Sequence, residues 1–156
     1  AGYIGAHMVA LLHRKGLRVH TLDDLSAGFR ESVKFGTFVL GDMGDVGLVR
    51  KLIETHAIST IVHLAGSISV SESIRDPAVY YLNNTAKTLS LAAVAAEAGV
   101  SRFIFSSTAA VYGNPIEIPL DERHPKHPVN PYGRCKWLVE QVLLDFAAAY
   151  GMRDMS

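Results

Sequence analysis

Tyr132 and Lys136 stand four residues apart in the run Tyr132-Gly133-Arg134-Cys135-Lys136. On a helix that spacing puts a phenol and an ammonium on one face, about 5–6 Å apart at Cβ. A free phenol, with a pKa of about 10, is a poor base at neutral pH. A neighbouring cation favours the phenolate and moves it toward the range in which general-base catalysis works. The residues before the pair predict where such a helix starts: Asn130 suits the N-cap and Pro131 the first helical position. Tyr132 then falls in the first turn, where the positive end of the helix dipole also favours an anion. The same spacing also arises as an exposed lysine beside a half-buried ring, so the pair takes its meaning from what else the chain carries.

The opening Ala1-Gly2-Tyr3-Ile4-Gly5 runs directly into an apolar helical pattern, Met8, Val9, Leu11 and Leu12. This has the form of the back half of a glycine-rich phosphate loop. One glycine lets the backbone approach a pyrophosphate, a later one lets helix pack on strand, and the phosphates rest on the helix N-terminus. With no initiator Met and no strand before the loop, the chain is expected to be a fragment lacking a first strand and the first motif glycine. The next segment, 17–23, alternates as a strand and ends in Asp23-Asp24. Asp23 follows Gly5 by eighteen residues, near the interval of about twenty at which a carboxylate takes the ribose 2′-hydroxyl of NAD. That carboxylate would repel the 2′-phosphate of NADP, although Arg30 stands close enough to answer one.

These residues need elements to hold them. Helical and strand patterns alternate along the chain, the signature of a parallel sheet with crossover helices. The pattern predicts helix 3–15, strand 17–23, strand 37–40, helix 45–56, strand 60–64, a long helix 78–98, strand 102–106 and helix 131–150, with residues 152–156 fitting no strand. Strands 60–64 and 102–106 are nearly continuous apolar runs, as expected of strands covered on both faces. In open sheets of this kind ligands bind beyond the carboxyl ends of the strands. Those ends supply Asp23 and Asp24, then Gly41-Asp42, then Ala65-Gly66-Ser67, and last Ser106-Ser107-Thr108. Small residues at 65–67 would let a flat cofactor lie against the backbone, and the hydroxyls at 106–108 could donate to a substrate oxygen.

The 156 residues are 49% hydrophobic and 19% charged with a formal net charge of zero. One domain, 1–156, is the natural count. The neutral balance gives no electrostatic footprint for nucleic acid or an anionic membrane, and no apolar run approaches the eighteen or so residues of a membrane span. A lone cysteine, Cys135, fits a reducing cytoplasm and is read as a small packing residue. The seven histidines show no metal-ligand spacing, and His63 at a strand end is read as a core residue.

In seven ordered stretches the chain resembles the N-terminal part of an extended short-chain dehydrogenase/reductase of the NAD-dependent epimerase/dehydratase family. They are Gly2-Tyr3-Ile4-Gly5, Leu22-Asp23-Asp24-Leu25 with Ser26-Ala27-Gly28, Gly41-Asp42, His63-Leu64-Ala65-Gly66 with Val70-Ser71-Glu72-Ser73, Tyr80 to Asn84, Phe105 to Gly113, and Asn130 to Lys136. The resemblance implies a Rossmann-like, doubly wound parallel α/β sheet, here without its first strand and its C-terminal substrate region. It implies that Gly2 and Gly5 hold the pyrophosphate of NAD, Asp23 the adenosine ribose, and Asp42 with Met43 the adenine edge, with Tyr3, Ile4 and Asp24 also among the cofactor-binding residues. Leu64, Ala65, Gly66 and Ser106 would line the cofactor and Asn83 support the site. Thr108 would contact a sugar 4-hydroxyl, and Tyr132 and Lys136 would complete the catalytic set, Lys136 also bonding the nicotinamide ribose.

Dehydratases of the family resemble one another in an Asp-Glu pair after the threonine, whereas this chain has Ala109-Ala110. The nearest resemblance is therefore to members that interconvert UDP-glucose and UDP-galactose by reversible oxidation at C4. The alternatives are another nucleotide sugar, or a non-catalytic NAD-binding module on the same fold. Relatives resemble one another in pairing the helices at 78–98 and 131–150 across a two-fold axis, which implies a homodimer. The fragment alone is expected to be inactive.

Overall fold

The computed structural model describes residues 1–155. In chain order the elements are helix α1 (Tyr3–Arg14), strands β1 (His20–Asp23) and β2 (Thr37–Leu40), helix α2 (Val46–His56), strand β3 (Thr60–His63), helices α3 (Val70–Arg75), α4 (Pro77–Tyr80) and α5 (Lys87–Glu97), strand β4 (Arg102–Phe105), helix α6 (Pro131–Tyr150) and strand β5 (Arg153–Met155). All pairings are parallel. β1 pairs with β2, and β4 lies between β3 and β5. This is the Rossmann-like arrangement of strands and crossover helices that the alternating pattern predicts.

Among the described residues the two ladders share no backbone hydrogen bond, so β1 and β3 each keep one unpaired edge. Packing joins them instead. Leu22 of β1 packs on the main core, and the inner face of α1 approaches the residue after β3, where a Cβ on Gly5 would lie 3.9 Å from Leu64 Cδ1. The main core gathers Val49 and Ile53 from α2, Leu91, Val94 and Ala95 from α5, Phe103 and Phe105 from β4, and Val139 and Leu143 from α6. Each large apolar side chain buried there stabilises the fold by roughly 1.5–3 kcal/mol. Ala1, Val9 and Val33 form a second, smaller cluster.

Three expectations need correction. The strand predicted over 17–23 forms only at His20–Asp23, because the ladder begins where His20 meets Thr37. The tail, read as fitting no strand, forms β5 at Arg153–Met155, with Arg102 opposite Arg153 and Ile104 opposite Met155; Ser156 lies outside the described residues. A three-residue strand with a charged start has no periodicity of its own and is fixed by the neighbour it pairs with. The helix predicted over 78–98 contains a π-helical stretch, Tyr81–Ala86, between α4 and α5. The short helix α3 was not anticipated.

Helix α6 follows its sequence signals closely. The Asn130 side chain accepts the Gly133 amide at 2.8 Å, Pro131 opens the first turn, and Gly151 ends it with φ of 69°.

Candidate active site

The start of α6 is held from two sides. The Tyr132 amide, one of the first-turn N–H groups that no helical carbonyl satisfies, donates to Ser73 Oγ at 3.2 Å. Gly133 lies so close to the segment after β4 that a Cβ would sit 2.6 Å from the Ala110 carbonyl oxygen. Glycine there is a packing requirement, and it brings the first turn of α6 against the segment that follows β4. Tyr80, which is fully buried, meets the Tyr132 ring edge-on at 6.4 Å between centroids. Its hydroxyl donates to Glu72 at 2.7 Å and accepts from the Ser69 amide at 2.9 Å. Burial and the Glu72 bond push the Tyr80 phenol above its ordinary pKa, so it stays neutral beside the half-buried Tyr132.

Lys136 extends inward and is only 5% exposed. Its Nζ donates to the Ser106 carbonyl at 2.9 Å and lies 4.7 Å over the Phe105 ring. Burial lowers its pKa to about 8, so near that pH the amine can give up a proton as readily as hold one. Behind it, His63 is buried, stacked on Phe105 and bonded through Nε2 to Thr88 Oγ1 at 2.9 Å. Burial first, and then the Lys136 charge, take His63 down to about 3. His63 is therefore the neutral core residue the sequence suggested.

β4 ends at Phe105, and the three hydroxyl residues after it diverge. Ser106 turns its carbonyl to Lys136, Ser107 donates its hydroxyl to the carboxylate of Glu140 on α6, and Thr108 Oγ1 accepts the Ala110 amide at 3.2 Å, capping a 3₁₀ turn at Ala109–Tyr112. The Thr108 hydroxyl proton stays available to a substrate oxygen. Gly113, with φ of 69°, lets the chain turn where a Cβ would lie 2.0 Å from the His127 carbonyl oxygen.

At the same edge, the carboxyl ends of β1, β2 and β3 present the residues assigned to a cofactor. Gly2 caps α1 in extended conformation, and open space lies where its Cβ would be. Tyr3 and Ile4 are exposed, and Gly5 sits in the first turn. Asp23 faces this turn: its carboxylate takes the Ala1 amino group at 2.6 Å and the Leu25 amide at 2.8 Å. Asp24 is turned to Ser26, whose hydroxyl and amide bonds hold it below its ordinary pKa. Asp42 accepts from Lys87 Nζ at 2.5 Å and from the Gly44 amide at 2.7 Å, and both bonds lower its pKa. Met43 packs on the main core. Arg30, the candidate for a 2′-phosphate, is already engaged: Nη1 donates to the Val33 carbonyl at 2.8 Å and the guanidinium lies over the Phe38 ring at 4.5 Å.

After β3, Leu64 is half-buried and Ala65 exposed. Gly66 has φ of 140°, a conformation that favours glycine, and its Cβ would lie 2.9 Å from Asn84 Oδ1. Asn83 reaches Ser67 Oγ at 3.2 Å. The stronger support comes from Asn84, which sequence reasoning did not assign: it is buried and brackets Ser67, accepting the amide and donating to the carbonyl, both at 2.8 Å. The π stretch carries both asparagines and faces Asn84 to the loop. Ser73, Tyr80 and Glu140 are the other contributors the sequence did not reveal. Cys135 is buried, with its thiol pushed up by burial, which suits packing. Among the described residues no group of three or more His, Cys, Asp or Glu could hold a metal ion, and no helix is long and apolar enough to cross a membrane.

Known proteins resemble this chain in sequence and in fold. A sequence model described as the NAD dependent epimerase/dehydratase family matches residues 1–156. The chain is 44% identical over 156 residues to the UDP-glucose 4-epimerase of Azospirillum brasilense, covering 99% of this chain and 45% of that one. It superposes on the crystal structure of the UDP-glucose 4-epimerase of Brucella ovis in complex with NAD at a TM-score of 0.97 and 40% identity, covering 99% of this chain and 47% of that one. With the enzyme of Thermotoga maritima, solved with UDP-glucose, the TM-score is 0.94 at 34% identity, covering 99% of this chain and 51% of that one. The chain thus spans about half the length of the relatives it matches.

Proposed function

Because the chain belongs to the NAD-dependent epimerase/dehydratase family, we propose that the protein carrying it is a UDP-glucose 4-epimerase, an isomerase of galactose metabolism that interconverts UDP-glucose and UDP-galactose. What supports the proposal is that α6 meets the segment on both sides of Thr108: Lys136 bonds the Ser106 carbonyl, and Gly133, next to Tyr132, packs on Ala110. The edge beside them suits NAD: open space over the Gly2 turn, the Asp23 carboxylate alongside it, and an exposed Ala65 after β3. When bound there, NAD supplies the reversible hydride acceptor for C4 of the sugar.

The chain's own residues move the proton and hold the substrate. Thr108 donates its free hydroxyl proton to the sugar 4-oxygen and orients it. Tyr132, as phenolate, takes the 4-hydroxyl proton while C4 is oxidised, and returns it after the 4-keto sugar has turned over. Lys136, anchored on the Ser106 carbonyl, sets the charge behind Tyr132 and reaches the nicotinamide ribose. With Ala109 and Ala110 in place of an acid and base there is nothing to expel water, so the sugar keeps its hydroxyl groups, and return of the hydride to C4 restores its oxidation level.

The protein is a homodimer in this reading. Leu82, Leu89, Leu138 and Leu144, on the π stretch, α5 and α6, are exposed apolar residues, and pairing these helices with a second copy would cover them. Light scattering of the full-length protein at micromolar concentration checks this, and a monomeric mass rejects it. The reduced, buried Cys135 suits the cytoplasm. The function itself is tested by giving the full-length protein UDP-galactose with no added reductant. UDP-glucose is the expected product, and its absence overturns the proposal.

A further inference from the structure

We infer that Glu140 is a positioning residue for the reaction at Tyr132, acting through Ser107 and Lys126. Tyr132, Lys136 and Glu140 follow one another at four-residue intervals along one face of α6. Glu140 is 5% exposed, and a buried carboxylate is tolerated only when it is paired and hydrogen-bonded. Here both oxygens are used. One accepts the Ser107 hydroxyl, and the other accepts Lys126 Nζ at 2.5 Å, from the loop that leads into α6.

The placement of Ser107 gives this carboxylate its consequence. On one side of it, the Ser106 carbonyl receives Lys136; on the other, Thr108 caps the 3₁₀ turn. Helix α6 therefore grips the strand end at two points one turn apart, Lys136 on residue 106 and Glu140 on residue 107. Gly133 against Ala110 adds a third contact near the helix start. Three contacts along one helix fix both the height and the rotation of the 106–108 segment relative to the phenol. Lys126 balances the buried charge and ties down the loop over 113–131. Glu140 itself touches neither the Tyr132 phenol nor the residues assigned to NAD, so its effect is on alignment.

This rests on the reading of Thr108, Tyr132 and Lys136 as the reacting set, and two measurements separate the ideas. In the NAD-loaded full-length protein, Glu140→Ala is expected to lower kcat on the order of 10²-fold, the cost of misplacing a catalytic group by about 1 Å, with KM for UDP-galactose and NAD affinity little changed. Glu140→Gln keeps an acceptor for Ser107 and should recover most of that loss. Ser107→Ala with Glu140→Ala should lose no more than Glu140→Ala alone, since the Ser107 hydroxyl acts through a bond that Glu140→Ala has already removed. Unchanged kcat in Glu140→Ala, no rescue by Gln, or losses that multiply would overturn the inference. If Glu140→Ala does not fold, Ser107→Ala against Glu140→Gln carries the same comparison. The second measurement, amide exchange across 106–112, needs no sugar. Faster exchange in Glu140→Ala supports the clamp even if epimerase activity is absent, and unchanged exchange rejects it.

Discussion

The edge assigned to the cofactor and the β4–α6 face are built on different physical plans. At the first, Asp23, Asp24 and Asp42 accept amides two residues further along the chain, and Gly2, Tyr3, Ile4 and Ala65 are exposed. At the second, the bonds span long stretches of chain: Tyr132 to Ser73, Lys136 to Ser106, Ser107 to Glu140. The groups behind them, Ser73, Tyr80, Lys136 and Glu140, are buried. Local turns leave the exposed backbone of this edge open to a ligand that brings much of its own shape. Proton transfer needs partners held before the substrate arrives, and only tertiary contacts can hold them.

The sharpest way to break this contrast is Tyr132→Phe. The ring, its contact with Tyr80 and the Gly133 packing survive, and only the oxygen is lost. Epimerase activity of the full-length protein should fall by about 10²–10⁴ while NAD affinity measured by calorimetry stays nearly constant. A variant that interconverts the two sugars at near parental rate would show that the phenol is not the base.

The same contrast governs what could be read from the sequence. Gly2, Gly5 and Asp23 were legible because a phosphate loop and its carboxylate obey fixed spacings, and α6 because Asn130 and Pro131 mark its start. Tyr132 and Lys136 share one helix, so their relation is local too. Ser73, Asn84 and Glu140 were not legible: each bonds a residue that is 17 or more positions away, and no periodicity encodes such a meeting. The π stretch escaped for a related reason, since one widened turn leaves the apolar pattern of a helix almost intact. β5 was invisible until β4 gave its backbone a partner.

Buried His63 supplies a second, graded effect, on stability. Its pKa is about 3 in the folded chain against 6.5 unfolded, so both states are neutral above pH 6.5 and no stability is lost there. As pH falls below 6.5 the unfolded chain takes a proton that the folded one refuses, and stability declines toward pH 3. Half-buried His20, lowered by burial and by His56 and Arg18, acts in the same direction. Between pH 6.5 and 5, before most carboxylates titrate, melting temperatures should fall in the parent and fall less in His63→Gln. Equal slopes would mean that His63 is solvated, and that this face is less enclosed than its geometry shows.

At the open edge, cofactor choice is expected to follow Asp23. With Arg30 committed to Val33 and Phe38, that guanidinium is not free to answer a 2′-phosphate beside the Asp23 carboxylate, so NAD should bind more tightly than NADP. Asp23→Asn should weaken NAD by about 1.5–3 kcal/mol, the usual contribution of a hydrogen bond to a charged group, and narrow the gap to NADP. Titration of parent and variant with both cofactors decides it, and tighter NADP binding by the parent would reject the assignment.

The smallest expected effect compares two ion pairs of equal length, one in each region. Lys87–Asp42 and Lys126–Glu140 are both 2.5 Å. In the first, the side chains are 34% and 42% exposed; in the second, the carboxylate is 6% exposed. Water and salt screen the first pair, and exposed pairs contribute about 0–1 kcal/mol. Removing the lysine of the second leaves a buried carboxylate with one oxygen unpaired, which costs more. Lys87→Met should therefore change unfolding free energy within that small range, and Lys126→Met should exceed it. The Lys87 variant should also let the Asp42 pKa rise, because the Lys87 bond is the largest influence lowering it. Carboxylate titration followed by NMR would show that rise. Equal stability losses in the two variants would mean that burial does not separate the regions, and the difference in plan between them would fail.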